Sequence, residues 1–445
     1  MNKTFTFLLL VFLGLNACQS DGLDNPLDIQ LRNRLNSLSP TETLDYFLLP
    51  EDGDYDQIPQ DPSNPLFEEK IELGKFLFFE TGLALDPKHE SGRETYSCGS
   101  CHVPSACFMP GREQGIADGG INFGFNGEER TQNADYLETE MDVQGLRPLC
   151  MLNTAYVTNT TWNGRFGARD ANVGTEYAWT EEKGTAVNFL GHSGLECQNV
   201  EGLRLHRLVV NKDITDSLGY TALFDQCFPE FPEEERYSLV TASFAISAYL
   251  RSLLTNKAPY QEWLRGNYDA LQDQEKRGAL LFYGKAQCYS CHRGPALNAT
   301  EFYALGVKDL YETGVAFATG PNDPRNLGRG SFTDREEDMY KFKVPQLYNL
   351  KEAEFFFHGS SKNSLEEVVR YFNTGEPENP NVPETQIAPQ LRPLQLSKEE
   401  IDDLVSFLRH GLHDPDIQRY VPDHVLSGNC IPNNDSASRI DLGCD

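Results

Sequence analysis

The spacing of apolar positions predicts helices along much of the chain. Apolar residues recur at helical intervals over 66–77, 237–254 and 275–283. Two further helices are indicated near the end of the chain by the capping boxes that begin at Ser364 and Ser397. The second is strongly amphipathic, with its apolar residues on one face.

Between these helices the sequence is rich in turn formers. Residues 120–235 contain many Gly and Asn and few clean periods, and alternating strand patterns are sparse throughout. Residues 19–65 are polar with scattered Pro and Asp, which indicates a tether with little regular structure. Residues 414–445 have the composition of a polar tail. These patterns predict a mainly α fold with long loops and little β structure.

The first eighteen residues have the pattern of an export signal. Lys3 precedes a nearly continuous apolar run over 5–15, which is too short to span a bilayer. The stretch Leu15-Asn16-Ala17-Cys18 resembles the lipobox of bacterial lipoproteins, which implies cleavage and acylation of Cys18. We expect an exported protein on the periplasmic side, anchored in the membrane by lipid. Gln19 after the acylated residue favours the outer membrane by lipoprotein analogy.

The charge balance excludes one class of partner. The formal net charge is -29, and the sequence lacks the clusters of Lys and Arg that contact phosphates, so nucleic-acid binding is not expected. An acidic surface is suited to a basic partner protein instead.

Two short motifs carry the strongest chemical signal. Cys98-Gly99-Ser100-Cys101-His102 and Cys288-Tyr289-Ser290-Cys291-His292 are both CxxCH, the attachment signature of c-type haem. Two thiols at this spacing can form thioethers with the haem vinyl groups, and the adjoining His can ligate iron. Zinc sites or redox dithiols are the alternatives, but the matching His offsets favour haem. Each motif follows a predicted helix, so we expect two cytochrome c-like haem lobes over 66–235 and 236–413.

Beyond these motifs, the chain resembles the bacterial dihaem cytochrome c peroxidases and the related dihaem oxidases that mature tryptophylquinone cofactors. The resemblance spans roughly residues 66 to 410. It is carried by Ser97-Cys98 through Phe108, Leu152-Asn153, Trp162-Asn163-Gly164-Arg165, Gly284 through Pro295, Phe342-Lys343-Val344-Pro345, and His358 through Val369.

The resemblance implies roles for several of these residues. His102 would be the proximal ligand of an N-terminal haem that binds peroxide, and His292 that of a C-terminal haem that delivers electrons. Trp162 would lie between the two haems. Asn153 would ligate a calcium ion at the lobe interface, with the backbone carbonyls of Lys343 and Pro345 as companion ligands.

Two departures from the family pattern concern the reaction itself. Gln198 fits the distal Gln, but Leu208 stands where the family has an acid ten residues later, so Glu196, Glu201 and His206 become the candidates for proton transfer. Phe372 stands where the family places a Met or Tyr ligand to the second haem. Tyr371 and Met339 are therefore the candidates for that ligand.

Six cysteines outside the motifs and the lipid site can form up to three disulfides. They are Cys107, Cys150, Cys197, Cys227, Cys430 and Cys444. Their connectivity does not follow from the sequence, although Cys430 with Cys444 would close a short loop.

These features together lead to three functional hypotheses. The first is a peroxidase that reduces hydrogen peroxide to water with electrons from a small cytochrome c or cupredoxin. The second is a dihaem oxidase that modifies a partner protein, and the third is an electron-transfer module without catalytic activity. A second copy of the chain, in a homodimer, is a further candidate partner.

Overall fold

The computed structural model describes residues 25–444, so the predicted export signal and Cys18 lie outside the described residues. Within this range, no helix is both long and apolar enough to cross a membrane. The α-helices are α1 Pro26–Leu38, α2 Glu68–Phe79, α3 Gly194–Leu205, α4 Lys212–Leu218, α5 Thr221–Cys227, α6 Glu233–Arg236, α7 Leu239–Ser252, α8 Pro259–Leu264, α9 Asp273–Phe282, α10 Gly330–Thr333, α11 Leu365–Thr374, α12 Lys398–Ser406 and α13 Ser436–Leu442.

Strand structure is limited to two short antiparallel pairs. Strands β1 Gly120–Ile121 and β2 Thr131–Gln132 form one pair, and β3 Phe302–Tyr303 and β4 Phe342–Lys343 form the other. Single turns of 3-10 helix and loops connect most other elements. The predicted mainly α fold with long loops and little β structure is confirmed.

Two separate hydrophobic cores define two lobes. The first core is built from α2, α3, α5 and α7, and it includes residues from Leu73 to Leu253. The second is built around α1, α8, α9, α11 and α12. It includes residues from Leu254 to Leu412 together with earlier residues such as Leu31 and Leu35, and Ala248 of α7. Helix α7 was expected to belong to the second lobe, but its apolar residues are buried against α2 and α3. The structure therefore places α7 in the first lobe.

Each lobe contains the same helix crossing, and in both lobes it depends on a glycine. A Cβ atom at Gly74 of α2 would collide with the Ala245 carbonyl of α7, and one at Gly278 of α9 would collide with the Asp403 carbonyl of α12. In both lobes the glycine-containing helix precedes a CxxCH motif. The repeated order of helix and motif in the sequence is thus a repeated packing unit in space.

The segment predicted as a tether is partly folded. Helix α1 packs on the second lobe, with Leu31 and Leu35 fully buried in its core. Asp28 pairs with Lys276 at 2.8 Å and accepts a hydrogen bond from Trp263 Nε1 at 2.7 Å. The prediction of little regular structure over 19–65 is therefore corrected for the described residues, because leucines at helical spacing supply a buried face.

The C-terminal segment is also part of the fold. Ile417 and Val425 join the first core, and Asp435 forms a buried ion pair with Arg130. The predicted Cys430–Cys444 disulfide is present. The chain thus returns to its first lobe after completing the second.

Candidate active site

The first CxxCH motif folds as a single 3-10 turn that presents His102. Ser97 caps the turn by accepting from the Gly99 amide, and the turn covers Cys98–Ser100. The His102 Nδ1–H donates to the Phe108 carbonyl at 3.0 Å. Burial lowers the pKa of His102 to about 4. The imidazole is therefore neutral at neutral pH, and its Nε2 lone pair is available to a metal.

The second motif repeats this arrangement in the other lobe. Cys288–Ser290 forms the turn, and the His292 Nδ1–H lies 3.0 Å from the Leu297 carbonyl and 3.1 Å from that of Pro345. Burial lowers the pKa of His292 to about 4 as well. Both motifs thus hold a neutral imidazole in a fixed orientation.

Three cavities surround these histidines. The first cavity, with about 730 Å³ of empty space, is lined by Cys98, Cys101 and His102. The second cavity, of about 1170 Å³, is lined by His292. The middle cavity, of about 1510 Å³, is also lined by His102 and extends toward the second lobe.

One face of α3 brings the predicted distal residues to the middle cavity. Gln198 and Glu201 lie on this face, and His206 is the residue that ends the helix. Gln198 and Glu201 are three positions apart and are therefore neighbours on the helix surface, whereas His206 reaches the cavity from the end of the helix. All three share the middle cavity with His102, and Gln198 and His206 also line the first cavity.

His206 has a carboxylate partner from a distant loop. Its Nδ1 lies 2.7 Å from Asp142 Oδ2, and its backbone carbonyl accepts from the Tyr96 hydroxyl at 2.8 Å. Burial acts to lower the pKa of His206, but the charge of Asp142 and the hydrogen bond to it outweigh burial and raise the pKa. The geometry thus favours a protonated imidazole beside the cavity.

The other two candidates for proton transfer have different environments. Glu201 lines the middle cavity, but Arg204 holds both of its oxygens, at 2.6 and 2.9 Å. Glu196 lies away from the cavities in a fully buried ion pair with Arg251 at 2.7 Å, and it also accepts from Asn64. The structure therefore assigns Glu196 to packing between α3 and α7, which corrects its inclusion among the catalytic candidates.

Trp162 lines both the middle and the second cavity. Its Nε1–H donates to the Arg147 carbonyl at 2.6 Å, which fixes the ring. The ring meets His358 edge-on at 6.2 Å, and His358 stacks on Phe342 at 3.6 Å. This placement agrees with the predicted role between the two haem sites.

Comparisons with known proteins relate this arrangement to a family. Residues 68–269 match the family model described as di-haem cytochrome c peroxidase. The chain is similar to this family over that range. A di-haem family implies two c-type haems, and the two CxxCH motifs are the candidate attachment sites.

Individual relatives carry two kinds of name. The chain is 27% identical to cytochrome-c peroxidase IdrP1 of Pseudomonas sp. strain SCT, over 79% of this chain and 83% of the relative. It is 28% identical to the methylamine utilization protein MauG of Methylorubrum extorquens, over 79% of this chain and 81% of the relative. A crystal structure of a MauG-like protein associated with microbial copper homeostasis has the same fold, with a TM-score of 0.55, 24% identity, and coverage of 83% of this chain and 95% of that one.

The side chains around the cavities fit haem groups. Gln144 Oε1 and Arg147 Nε are buried without hydrogen-bond partners, and both residues line the middle cavity. Lys343 lines the middle and second cavities with 4% exposure, and no carboxylate of the described residues forms an ion pair with its Nζ. Burial, together with the charge of Arg329, lowers the pKa of Lys343 to about 7. The carboxylates of a haem would give the Arg147 and Lys343 donors the anionic partner they lack, whereas Gln144 Oε1 is an acceptor and would need a donor.

The structure does not bring the predicted sixth ligands to the second cavity. The Tyr371 hydroxyl donates to the Leu305 carbonyl at 2.6 Å within an apolar cluster, and Met339 packs against Gly330. Phe372 lines the cavity, whereas neither of these residues does among the described positions. Both assignments are corrected, since the side chains point elsewhere in the folded chain.

Two of the predicted calcium ligands are already engaged in hydrogen bonds. The Asn153 amide oxygen accepts from the Thr255 amide at 3.1 Å, and its nitrogen donates to the Thr255 hydroxyl at 2.8 Å. The Pro345 carbonyl lies 3.1 Å from His292 Nδ1. Calcium at this position stays a prediction.

Three features of the site were missed by sequence reasoning. Asp142 is far from His206 in sequence, the side chain of Lys343 was not considered, and Gln144 lies in a loop without a motif. Helix α3 lies within residues 120–235, where the sequence shows few clean periods, and Gln198 was found only through the family resemblance. The loops that face it carry no periodic signal.

Proposed function

We propose that the protein is a dihaem peroxidase that reduces hydrogen peroxide to water. The observation that carries this proposal is the His206–Asp142 pair, whose carboxylate raises the pKa of the imidazole and which shares the middle cavity with Gln198 and His102. When bound, the haems supply an open iron position and the stored electrons that cleave the O–O bond. The chain must supply proton transfer, orientation and a dry site.

His206 is the residue suited to proton transfer. Asp142 holds its Nδ1, so its Nε2–H remains to donate a proton to the leaving oxygen of peroxide. The same carboxylate stabilises the imidazolium form until the transfer takes place. The Gln198 amide can hydrogen-bond a peroxide oxygen from the same helix face. Glu201 is the weaker candidate, because Arg204 occupies both of its oxygens.

Electrons would enter through the second lobe and pass near Trp162, which lies between the two cavities. The proposed donor is a small cytochrome c or cupredoxin. A net charge of -29 supports a donor with a basic docking surface.

The direct test is stopped-flow absorbance of half-reduced holoprotein mixed with hydrogen peroxide. Rapid oxidation of both haems, with water as the product, is the expected result. A His206→Gln variant should lose about 100-fold or more in rate, because acid–base catalysis contributes about 10²- to 10⁴-fold. A slow or absent reaction in the unmodified protein, or two haems that bind neither cyanide nor peroxide, would instead support an electron carrier.

A dihaem oxidase acting on a partner protein is the second candidate. The similarity to MauG, at 28% identity, favours it as strongly as the similarity to IdrP1, at 27%, favours the peroxidase. The position of Tyr371 outside the second cavity counts against it. An oxidase should turn over small reductants slowly and leave a mass change on a partner protein exposed to peroxide.

We further propose that the protein is exported and held at the outer membrane through acylated Cys18. The support is the apolar leader and the lipobox-like stretch that ends in this residue. Replacement of Cys18 by Ser should move the protein from the membrane pellet to the soluble fraction of the cell envelope. Unchanged sedimentation would contradict the anchor.

A further inference from the structure

Two cysteines that no haem motif uses lie together between the haem sites. Cys107 is fully buried and follows His102 by five positions, at a left-handed backbone position with φ of 61°. The Cys150 thiol donates to the Cys107 carbonyl at 2.9 Å. Cys150 also lines both the middle and the second cavity. Cys150 thus lies against the backbone of Cys107 although 43 positions separate the two residues in the chain. Cys150 is near enough to contribute to the raised pKa of the Cys107 thiol, which itself contacts the Asn349 carbonyl.

A chain of titratable groups leads from these thiols to solvent. Cys107 Sγ lies 3.3 Å from Glu352 Oε2, which lies 3.4 Å from His413 Nδ1. The side chains of Glu352 and His413 are 29% and 18% exposed. Burial would raise the pKa of Glu352, but its hydrogen bond to His413 and the charge of that residue lower it. A carboxylate is therefore in place to accept a proton from the Cys107 thiol.

We propose that Cys107 and Cys150 are a reversible dithiol–disulfide pair that hydrogen peroxide oxidises. Cys150, which lines the cavities, attacks one peroxide oxygen and becomes a sulfenic acid, and the first water leaves. The Cys107 sulfur then attacks the Cys150 sulfur as its proton passes to Glu352. The S–S bond forms, the S–OH bond breaks, and the departing hydroxide takes up a proton as the second water. Two thiols lose two electrons, and one peroxide gains them.

Burial sets the speed of this reaction. It raises the pKa of Cys107 well above the ordinary value and that of Cys150 to about 12, so little thiolate is present at neutral pH. The pair would therefore respond to sustained peroxide exposure and would not compete with rapid turnover at a haem.

The pair is also connected to the first haem site. Cys107 precedes Phe108, whose carbonyl accepts the hydrogen bond from His102 Nδ1. A bond to Cys150 would tie this loop to the segment that lines the middle cavity. The oxidation state of the pair is thereby linked to the hydrogen bond that orients His102.

The remaining buried cysteines serve as internal controls. Cys197 Sγ contacts only the carbonyls of Val187 and His192 among the described residues, at 3.5 and 3.6 Å. Cys227 is packed within the first core. Neither has a neighbouring thiol in the described part of the chain, so both should stay reduced.

The test is thiol mapping on the full-length holoprotein. The protein is reduced with dithiothreitol, freed of reductant, exposed to peroxide or to diamide, alkylated with N-ethylmaleimide, digested and analysed by mass spectrometry. Diamide takes up the two thiol hydrogens on its N=N bond without a haem. We expect a peptide pair joined through Cys107 and Cys150 after either oxidant, with Cys197 and Cys227 alkylated.

Variants and a parallel assay make the outcome decisive. Cys150→Ser should leave Cys107 fully alkylated, whereas Cys197→Ser should retain the disulfide. Alkylation of both Cys107 and Cys150 after each oxidant, or a disulfide to another cysteine, would overturn the inference. Peroxide consumption is followed in the same samples. Disulfide formation without haem turnover refutes the proposed function alone, and turnover with both thiols alkylated refutes the pair alone.

Discussion

The His206–Asp142 pair makes the pH dependence of peroxide reduction predictable. The pKa of His206 is raised above its ordinary value near 6.5, so the protonated donor persists to higher pH than for a free histidine. Activity that needs this proton should be present at low pH and lost as the pH rises through the raised pKa. Replacement of Asp142 by Asn removes the charge that raises it.

The direction of the shift follows from the contact. The Asp142 carboxylate lies 2.7 Å from His206 Nδ1 and raises the pKa of His206, because an opposite charge favours the protonated form. With Asp142 gone, burial becomes the main influence, and it lowers the pKa. The fraction of protonated His206 on the alkaline side should therefore fall.

The assay is kcat/KM for peroxide from about pH 5 to about pH 9, with a reduced small cytochrome c as donor. The alkaline limb of the Asp142→Asn profile should move to lower pH than that of the unmodified protein. Glu201→Gln is the matched control, since Glu201 lines the same cavity without contacting His206. An unchanged limb in Asp142→Asn, or a shift in Glu201→Gln instead, would refute the assignment of His206 as donor.

Three further substitutions test other parts of the site. Trp162→Phe should retain both haems, as shown by mass, but should slow the oxidation of the second haem by peroxide in stopped-flow measurements. The control Trp179→Phe, which lies outside these cavities, should leave that rate unchanged. Equal rates in the two variants would contradict the bridging role of Trp162. Lys343→Met should lower the midpoint potential of one haem by on the order of 60 mV, because a buried positive charge that favours the reduced form is lost. Unchanged midpoint potentials in spectroelectrochemistry would contradict this prediction. Glu196→Ala should lower the free energy of unfolding by about 3 to 5 kcal/mol in denaturant titration, because Arg251 is left buried without its partner. The kcat per bound haem should stay the same. A loss of kcat at unchanged stability would instead identify Glu196 as a catalytic residue.

The sequence predicted the helices that its periodic pattern covers. Helices α7, α9 and α12 lie within two residues of the expected ranges, because their apolar faces and caps are local signals. The sequence of α7 alone does not show to which lobe the helix belongs. Long-range contacts, such as that with Gly74 of α2, determine which core it joins. Helix α1 was missed because its four leucines, which stand in a polar segment, were weighed less than the surrounding Pro and Asp. The polar composition of the segment reflects the exposed face of this helix, whereas leucines at helical spacing form its buried face.

The same distinction between local and long-range information explains which residues of the candidate site could be predicted from the sequence. His102 and His292 were predictable because attachment requires thiols and imidazole within five consecutive residues. Gln198 and Glu201 lie three positions apart on one helix, so their common face follows from helical spacing. The pair of Glu201 with Arg204 is also at helical spacing. The other partners come from distant segments, since Arg251 pairs with Glu196 and Asp142 raises the pKa of His206. These long-range charge pairs distinguish His206 from Glu196 as a proton donor, and no spacing rule in one sequence reveals them.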